Sequence, residues 1–344
     1  MLWVVLGATV LCAAFPAGEL VLLLAGRRLH PDEEDRRGCA GGGPAVPRAG
    51  AGPAHEAAGM TTTSVPGPDG STMPAYVSTP VSTGRDPGPW PGVVVVHDAF
   101  GMSDDMRDQA DWLAAAGYVA LLPDLYSRDG RTQGWGRVPC VARTMQQMSR
   151  GEGPAFERLE TARAALADRD DCTGTVGVIG FCMGGGFALL LAGRPGWSAA
   201  SVNYGMLPKD EDALDAAVDG ACPVVASFGG DDPSLGGAAG RLDAALERAG
   251  VPADVREYPG AQHGFITRTA DTSPLVPLLR RVMGVSHDHE ASADARRRIL
   301  GFFDAHLRGT TAPSSGAAPS DDEPLLHVPA PVGWLGRGAS TPTG

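Results

Sequence analysis

Lysine is almost missing from this sequence: of 28 basic residues only Lys209 is a lysine, and the rest are arginine. We read this as the codon bias of a GC-rich genome, so an arginine here says less about binding than it would elsewhere. Positive charge is short overall, with 28 basic against 40 acidic residues and a net charge of −12. A chain this acidic lacks the footprint of a polyanion binder, which excludes nucleic acid as an expected partner. Cysteine is scarce: there are six, none spaced as Cys-x-x-Cys. That excludes a disulfide scaffold and makes a reducing, cytoplasmic location the expectation. No apolar run reaches the roughly 20 unbroken residues of a membrane helix, because Pro16 and Glu19 interrupt residues 1–26. A polytopic membrane protein is excluded. So is a wholly disordered chain, since 43% of the residues are hydrophobic and 20% charged, the balance of a globular protein.

Glycine (48) and proline (29) are, by contrast, abundant, and they gather in tails and loops. They divide the chain into three parts. Residues 1–59 hold the interrupted apolar stretch and then a low-complexity Gly/Ala/Pro/Arg segment. The composition changes abruptly at Met60-Thr61-Thr62-Thr63, so Met60 is the expected functional start and residues 1–59 a non-native or disordered extension. A membrane anchor in residues 1–26 is one alternative. A cleaved signal is the other, although no positive charge precedes the apolar run as a signal requires. Residues 310–344 are rich in Pro, Ser, Gly and Thr without periodicity, and read as a disordered tail.

Residues 60–309 carry pattern. Val93 to Val96 is a continuous β-branched run, the mark of a strand buried on both faces. Asp104 to Gly117 has helical spacing, with Met106, Ala110, Leu113 and Ala114 on one face and Gly117 as the stop. Strands are predicted over Tyr118–Leu122, Val176–Phe181, Ala199–Tyr204, Pro223–Phe228 and Val255–Tyr258. Helices are predicted over Phe156–Ala167, Met183–Ala192, Ala238–Ala249 and Ala291–Leu307. Strands alternating with helices imply an α/β domain, a mostly parallel sheet covered by helices on both faces.

One turn concentrates the chemistry. Gly180-Phe181-Cys182-Met183-Gly184 joins a predicted buried strand to a predicted helix. Gly-x-Cys-x-Gly is a nucleophile elbow with cysteine in place of serine. The turn is sharp, and Gly180 and Gly184 let neighbouring chains approach where a Cβ would clash. Cys182 then stands at a helix N-terminus, where the dipole and free N–H groups favour negative charge. The Met183 N–H points to where an oxyanion would form. A dinucleotide cradle is the competing use of such a turn, but Gly-x-Gly-x-x-Gly needs glycine where Cys182 stands. An inert buried cysteine is the other competitor.

Acid and base follow the nucleophile in that order in this kind of site. Gly229-Gly230-Asp231-Asp232-Pro233 follows one predicted strand and Gln262-His263-Gly264-Phe265 another. Both leave the same sheet edge as Cys182, so His263 is the base candidate, with Asp232 or Asp231 as its orienting acid.

At these residues the chain resembles the dienelactone hydrolase family, from about Asp69 to Leu307. The resemblance rests on His97-Asp98-Ala99-Phe100-Gly101, Pro123-Asp124-Leu125-Tyr126, Gly180 to Gly185, Tyr204-Gly205, Gly229 to Asp232 and His263-Gly264-Phe265, taken together. It implies an α/β-hydrolase fold with Cys182, His263 and Asp232 as triad. It implies an oxyanion hole from the Ala99 and Met183 N–H groups, and hydrolysis of a lactone or ester without metal or cofactor. Asp98 stands where that family carries a glutamate that controls the thiol. Arg268 follows His263 by one residue more than the family's substrate arginine does. A small anionic substrate bound by Arg268 is therefore expected. Asp98 is expected to restrain the Cys182 thiol, since a carboxylate beside it disfavours a second negative charge.

The remaining motifs read as structural. His287-Asp288-His289-Glu290 is a polar helix start rather than a metal site. Cys140, Cys172 and Cys222 lack glycine neighbours and read as small core or loop residues. Gly130 to Pro139 is a surface loop or a cap over the active site. A different class of function also fits: a catalytically weak scaffold that binds ligands or responds to thiol oxidation. Such a sensor needs only Cys182, whereas an enzyme needs His263 and Asp232 as well, and all three are present.

Overall fold

The computed structural model describes residues 61–68, 70–82, 86–126, 137–268 and 285–308. The expectations for residues 1–59, 130–136 and 310–344 lie outside them. The strands are β1 (Thr61–Pro66), β2 (Thr72–Ser78), β3 (Trp90–Val96), β4 (Val119–Pro123), β5 (Cys172–Phe181), β6 (Ala200–Asn203), β7 (Val224–Gly229) and β8 (Ala253–Tyr258). The helices are α1 (Asp104–Ala115), α2 (Arg137–Arg150), α3 (Pro154–Ala167), α4 (Met183–Ala192), α5 (Glu211–Val218), α6 (Ala238–Arg248) and α7 (His289–Leu307).

The strands form one sheet in the order β1-β2-β4-β3-β5-β6-β7-β8. β1 and β2 pair antiparallel, as do β2 and β4. From β4 to β8 every pairing is parallel. Successive strand residues point to opposite faces. Every residue of β3 is buried, so the sheet is covered on both sides, as its valine run predicts. On one side α1 and α7 lie together, the Arg296 Nη2 donating to Gln109 Oε1 at 2.9 Å, and Tyr118, just before β4, donates its hydroxyl to Asp304 Oδ1 of α7 at 2.6 Å. Elsewhere in the core α3 and α4 meet through Phe156 and Phe187, with ring centroids 4.8 Å apart.

Local chemistry sets the element ends. Ser103 caps α1 by accepting the Met106 N–H, and Gly117 leaves it at φ +86, a conformation open to glycine. Asp210 and Asp288 cap α5 and α7 in the same way. The antiparallel β1–β2 pair, α2 and α5 were not anticipated. β1 reads Thr-Thr-Thr-Ser-Val-Pro and is largely exposed, so no alternating apolar signal marks it. α5 buries only Leu214 and Val218. No helix among the described residues is long and apolar enough to cross a membrane.

Candidate active site

Every candidate residue leaves the C-terminal edge of the parallel strands, where open α/β sheets bind ligands. Between β5 and α4, Cys182 adopts φ 55, ψ −115, a left-handed conformation costly for a residue with a Cβ. Close packing enforces it. A Cβ on Gly180 would run into the Gly184 carbonyl, and one on Gly184 into the Val96 carbonyl. The Cys182 N–H donates to Asn203 O at 3.0 Å, and its carbonyl accepts from the Gly185 and Gly186 N–H groups. The strained turn leaves the cysteine half-buried at the head of the helix.

His263 follows β8. Its Nδ1 lies 2.6 Å from Asp232 Oδ2, and the Cys182 side chain lies near enough to its ring to raise its pKa. Burial lowers the pKa of His263, but Cys182 and Asp232 outweigh it and hold the imidazole well above its usual range. Asp232 is buried, and its Oδ1 accepts from the Ser234 N–H at 2.9 Å and hydroxyl at 2.6 Å. Burial works to raise its pKa; His263 and Ser234 overcome this and lower it. Asp231 is exposed, and its backbone N–H donates to Ala261 O at 2.9 Å.

Two more strand ends close the site. Tyr204, after β6, has φ +38 and stands edge-on to the His263 ring at 5.1 Å, its hydroxyl donating to Thr267 Oγ1 at 3.2 Å. After β3 comes the His97–Ala99 turn. Gly184 packs directly on the carbonyls of Val96 and His97, which brings the start of α4 against this turn. Met183 is the first residue of α4, so its N–H has no acceptor within the helix. Tyr126 spans the two segments. Its buried hydroxyl lies 3.3 Å from Ala99 O, 3.4 Å from Asp98 O and 3.6 Å from Met183 Sδ.

Asp98 is buried on the same turn, and its Oδ1 accepts the Phe100 N–H at 2.8 Å. Burial pushes its pKa up to about 7; the Phe100 N–H and His263 oppose this, and Asp105 adds to it. Arg268 is exposed, and its backbone N–H donates to Asp105 Oδ1 at 2.9 Å. Asp105 is itself buried, with its pKa raised by that burial. Gln109 links it to Arg296, whose guanidinium also lies over the Trp112 ring.

Asp105, Gln109, Ser234 and Arg296 escaped the sequence reading. The signal for the first two was a polar i, i+4 pair beside the apolar stripe of α1, easily taken for the solvated face. A surface cavity of about 610 Å³, lined by Val81, Ala116, Asp304 and Arg308 among others, shares no residue with this site. His287 precedes α7, Asp288 caps it and His289 and Glu290 open it, and among the described residues no group of three or more His, Cys, Asp or Glu side chains is placed to hold a metal. Cys140 and Cys172 are buried and Cys222 is half-buried.

The sheet order, the elbow after β5 and the acid and histidine after β7 and β8 define an α/β-hydrolase. Brefeldin A esterase shares this fold, with a TM-score of 0.51 and 17% identity over 77% of this chain and 81% of that one. The dienelactone hydrolase family model matches residues 73–307. The chain belongs to that family and is a carboxylic ester hydrolase. It is similar to the carboxymethylenebutenolidase of Rhodococcus opacus, with 30% identity over 233 residues, 64% of this chain and 84% of that one. It also resembles a dienelactone hydrolase-like promiscuous phosphotriesterase from metagenomic libraries, with a TM-score of 0.55 and 25% identity, covering 72% of this chain and 99% of that one.

Proposed function

We propose that this hydrolase opens a small lactone or cleaves a small ester through a covalent acyl-enzyme at Cys182. The observation that carries the reading is His263, hydrogen-bonded to Asp232 at 2.6 Å, with the Cys182 side chain near its ring. His263 takes the thiol proton as Sγ adds to the substrate carbonyl carbon. Asp232 holds the imidazole tautomer and stabilises the imidazolium. The Ala99 and Met183 N–H groups bind the oxyanion. Collapse breaks the C–O bond, and His263 returns the proton to the leaving alkoxide, which stays tethered when the substrate is a lactone. His263 then deprotonates a water that attacks the thioester, releasing the acid and restoring the thiol.

Arg268, whose backbone N–H is held by Asp105, is the residue proposed to select an anionic substrate, since a guanidinium binds carboxylate through two parallel hydrogen bonds. Its effect is read as a larger rise in KM for an acidic lactone than for a neutral ester in Arg268→Lys.

Cys182→Ala and His263→Ala are each expected to abolish hydrolysis of an activated ester, because removing one triad member costs about as much as removing the set. Mass spectrometry of the wild type mixed rapidly with a slow ester should find one acyl group on Cys182. Retention of most activity by Cys182→Ala would end this reading.

A further inference from the structure

His97 is fully buried and takes no part in the triad, yet both of its ring nitrogens are engaged at the edge of the site. The Leu125 N–H donates to Nε2 at 3.1 Å, so Nε2 is bare. In the neutral ring the proton then sits on Nδ1, which lies 2.7 Å from the Asp98 carbonyl oxygen and donates to it. That carbonyl and the Ala99 N–H belong to one peptide unit. A planar trans peptide points its C=O and N–H in opposite directions. Fixing the oxygen therefore aims the N–H, and a hydrogen bond accepted by the carbonyl polarises the amide into a better donor. The Tyr126 ring packs on His97 with centroids 4.7 Å apart, and its hydroxyl reaches the same carbonyl at 3.4 Å.

We infer that His97 is a positioning residue that aims and polarises the Ala99 N–H toward the developing oxyanion. The inference rests on the proposed acyl-transfer reading, in which Ala99 is one of the two oxyanion donors. It assigns the histidine a role in the transition state rather than in packing alone, exerted through a peptide bond and without contact with substrate.

Two substitutions separate the two ring nitrogens. His97→Asn keeps an N–H donor near the place of Nδ1 and loses the Nε2 acceptor. His97→Gln keeps an acceptor near the place of Nε2 and loses the donor. The readout is the ratio of acylation rates for an activated ester and its thionoester, in which sulfur replaces the carbonyl oxygen. Sulfur accepts hydrogen bonds poorly, so the ratio reports the oxyanion donors. The wild type should prefer the oxygen ester. His97→Gln should lower that ratio by about tenfold, short of the roughly 10²–10³ lost with a whole donor, with KM nearly unchanged. His97→Asn should keep the wild-type ratio. A purely structural role would slow both substrates equally. A wild-type ratio retained in His97→Gln would overturn the inference while leaving the acyl-transfer reading intact. A wild type indifferent to sulfur would instead sink the oxyanion hole itself, and the inference with it. The unsubstituted protein supplies an independent check: ¹⁵N NMR of labelled histidine should find Nδ1 of His97 protonated and Nε2 bare, and the opposite tautomer would refute the inference even if neither variant folds.

Discussion

Asp98 is a carboxyl group placed where burial penalises its charge. Its folded pKa is pushed up to about 7, against an unfolded value of about 4. The native state therefore binds more protons than the unfolded one between those values, and stability falls as pH rises through that window. Asp98→Asn keeps an oxygen for the Phe100 N–H and has no charge to bury. The variant should gain stability over the wild type from pH 5 to pH 8, by a few kcal/mol at most on the scale of about 1.4 kcal/mol per pKa unit. Melting temperatures across that range check it, and a pH-independent difference would show that Asp98 does not titrate in that window. The same variant tests control of the nucleophile. If the Asp98 carboxylate restrains the thiol, iodoacetamide should alkylate Cys182 faster near neutral pH in Asp98→Asn. Unchanged alkylation would leave Asp98 as the anchor of the Phe100 turn.

At the scale of the element, the β5–α4 elbow depends on what its glycines lack. Gly184 packs its α-carbon on the end of β3, so Gly184→Ala must push the helix start away from the Val96 carbonyl. The expected result is a loss well beyond the roughly 1–3 kcal/mol of ordinary overpacking, with activity lost as Met183 and Ala99 separate. Gly240, in the exposed face of α6, meets nothing within 4 Å. Gly240→Ala should therefore stabilise by about 0.5–1 kcal/mol through helix propensity, with unchanged kinetics. Denaturant titration of the two variants measures both, and similar effects would mean that neither close packing nor propensity governs these positions.

For the molecule as a whole, the sheet and every site residue lie within residues 61–308. A chain starting at Met60 should match the full chain in melting temperature and in kcat/KM. A lower melting temperature, or recovery of the full chain alone in a membrane fraction, would give residues 1–59 a working role. The strand order explains why sites drawn from β3, β5, β6, β7 and β8 converge. These strands are adjacent and parallel, so their C-terminal ends share one edge.

Much of this was legible in the sequence, because local physics wrote it there. A valine run reports burial on both faces, a 3.6-residue period reports a helix, and glycines around Cys182 report a turn too tight for side chains. The order of cysteine, acid and histidine followed from where the strands end. What only the tertiary structure decided is what depends on distance across the chain. Asp231 and Asp232 are adjacent, and in the sequence only the family resemblance separated them; the fold shows the physical reason, with Asp232 buried against His263 and Ser234. Asp105 and Gln109 lie beside the apolar stripe of α1, and their partners come from distant segments, the Arg268 N–H and Arg296 of α7. His97 read only as part of a family signature, and the bond it accepts from the Leu125 N–H exists because β3 and β4 lie side by side. Residue type and period are properties of a short stretch, whereas the partner that satisfies a buried polar group comes from whichever element the fold brings to it.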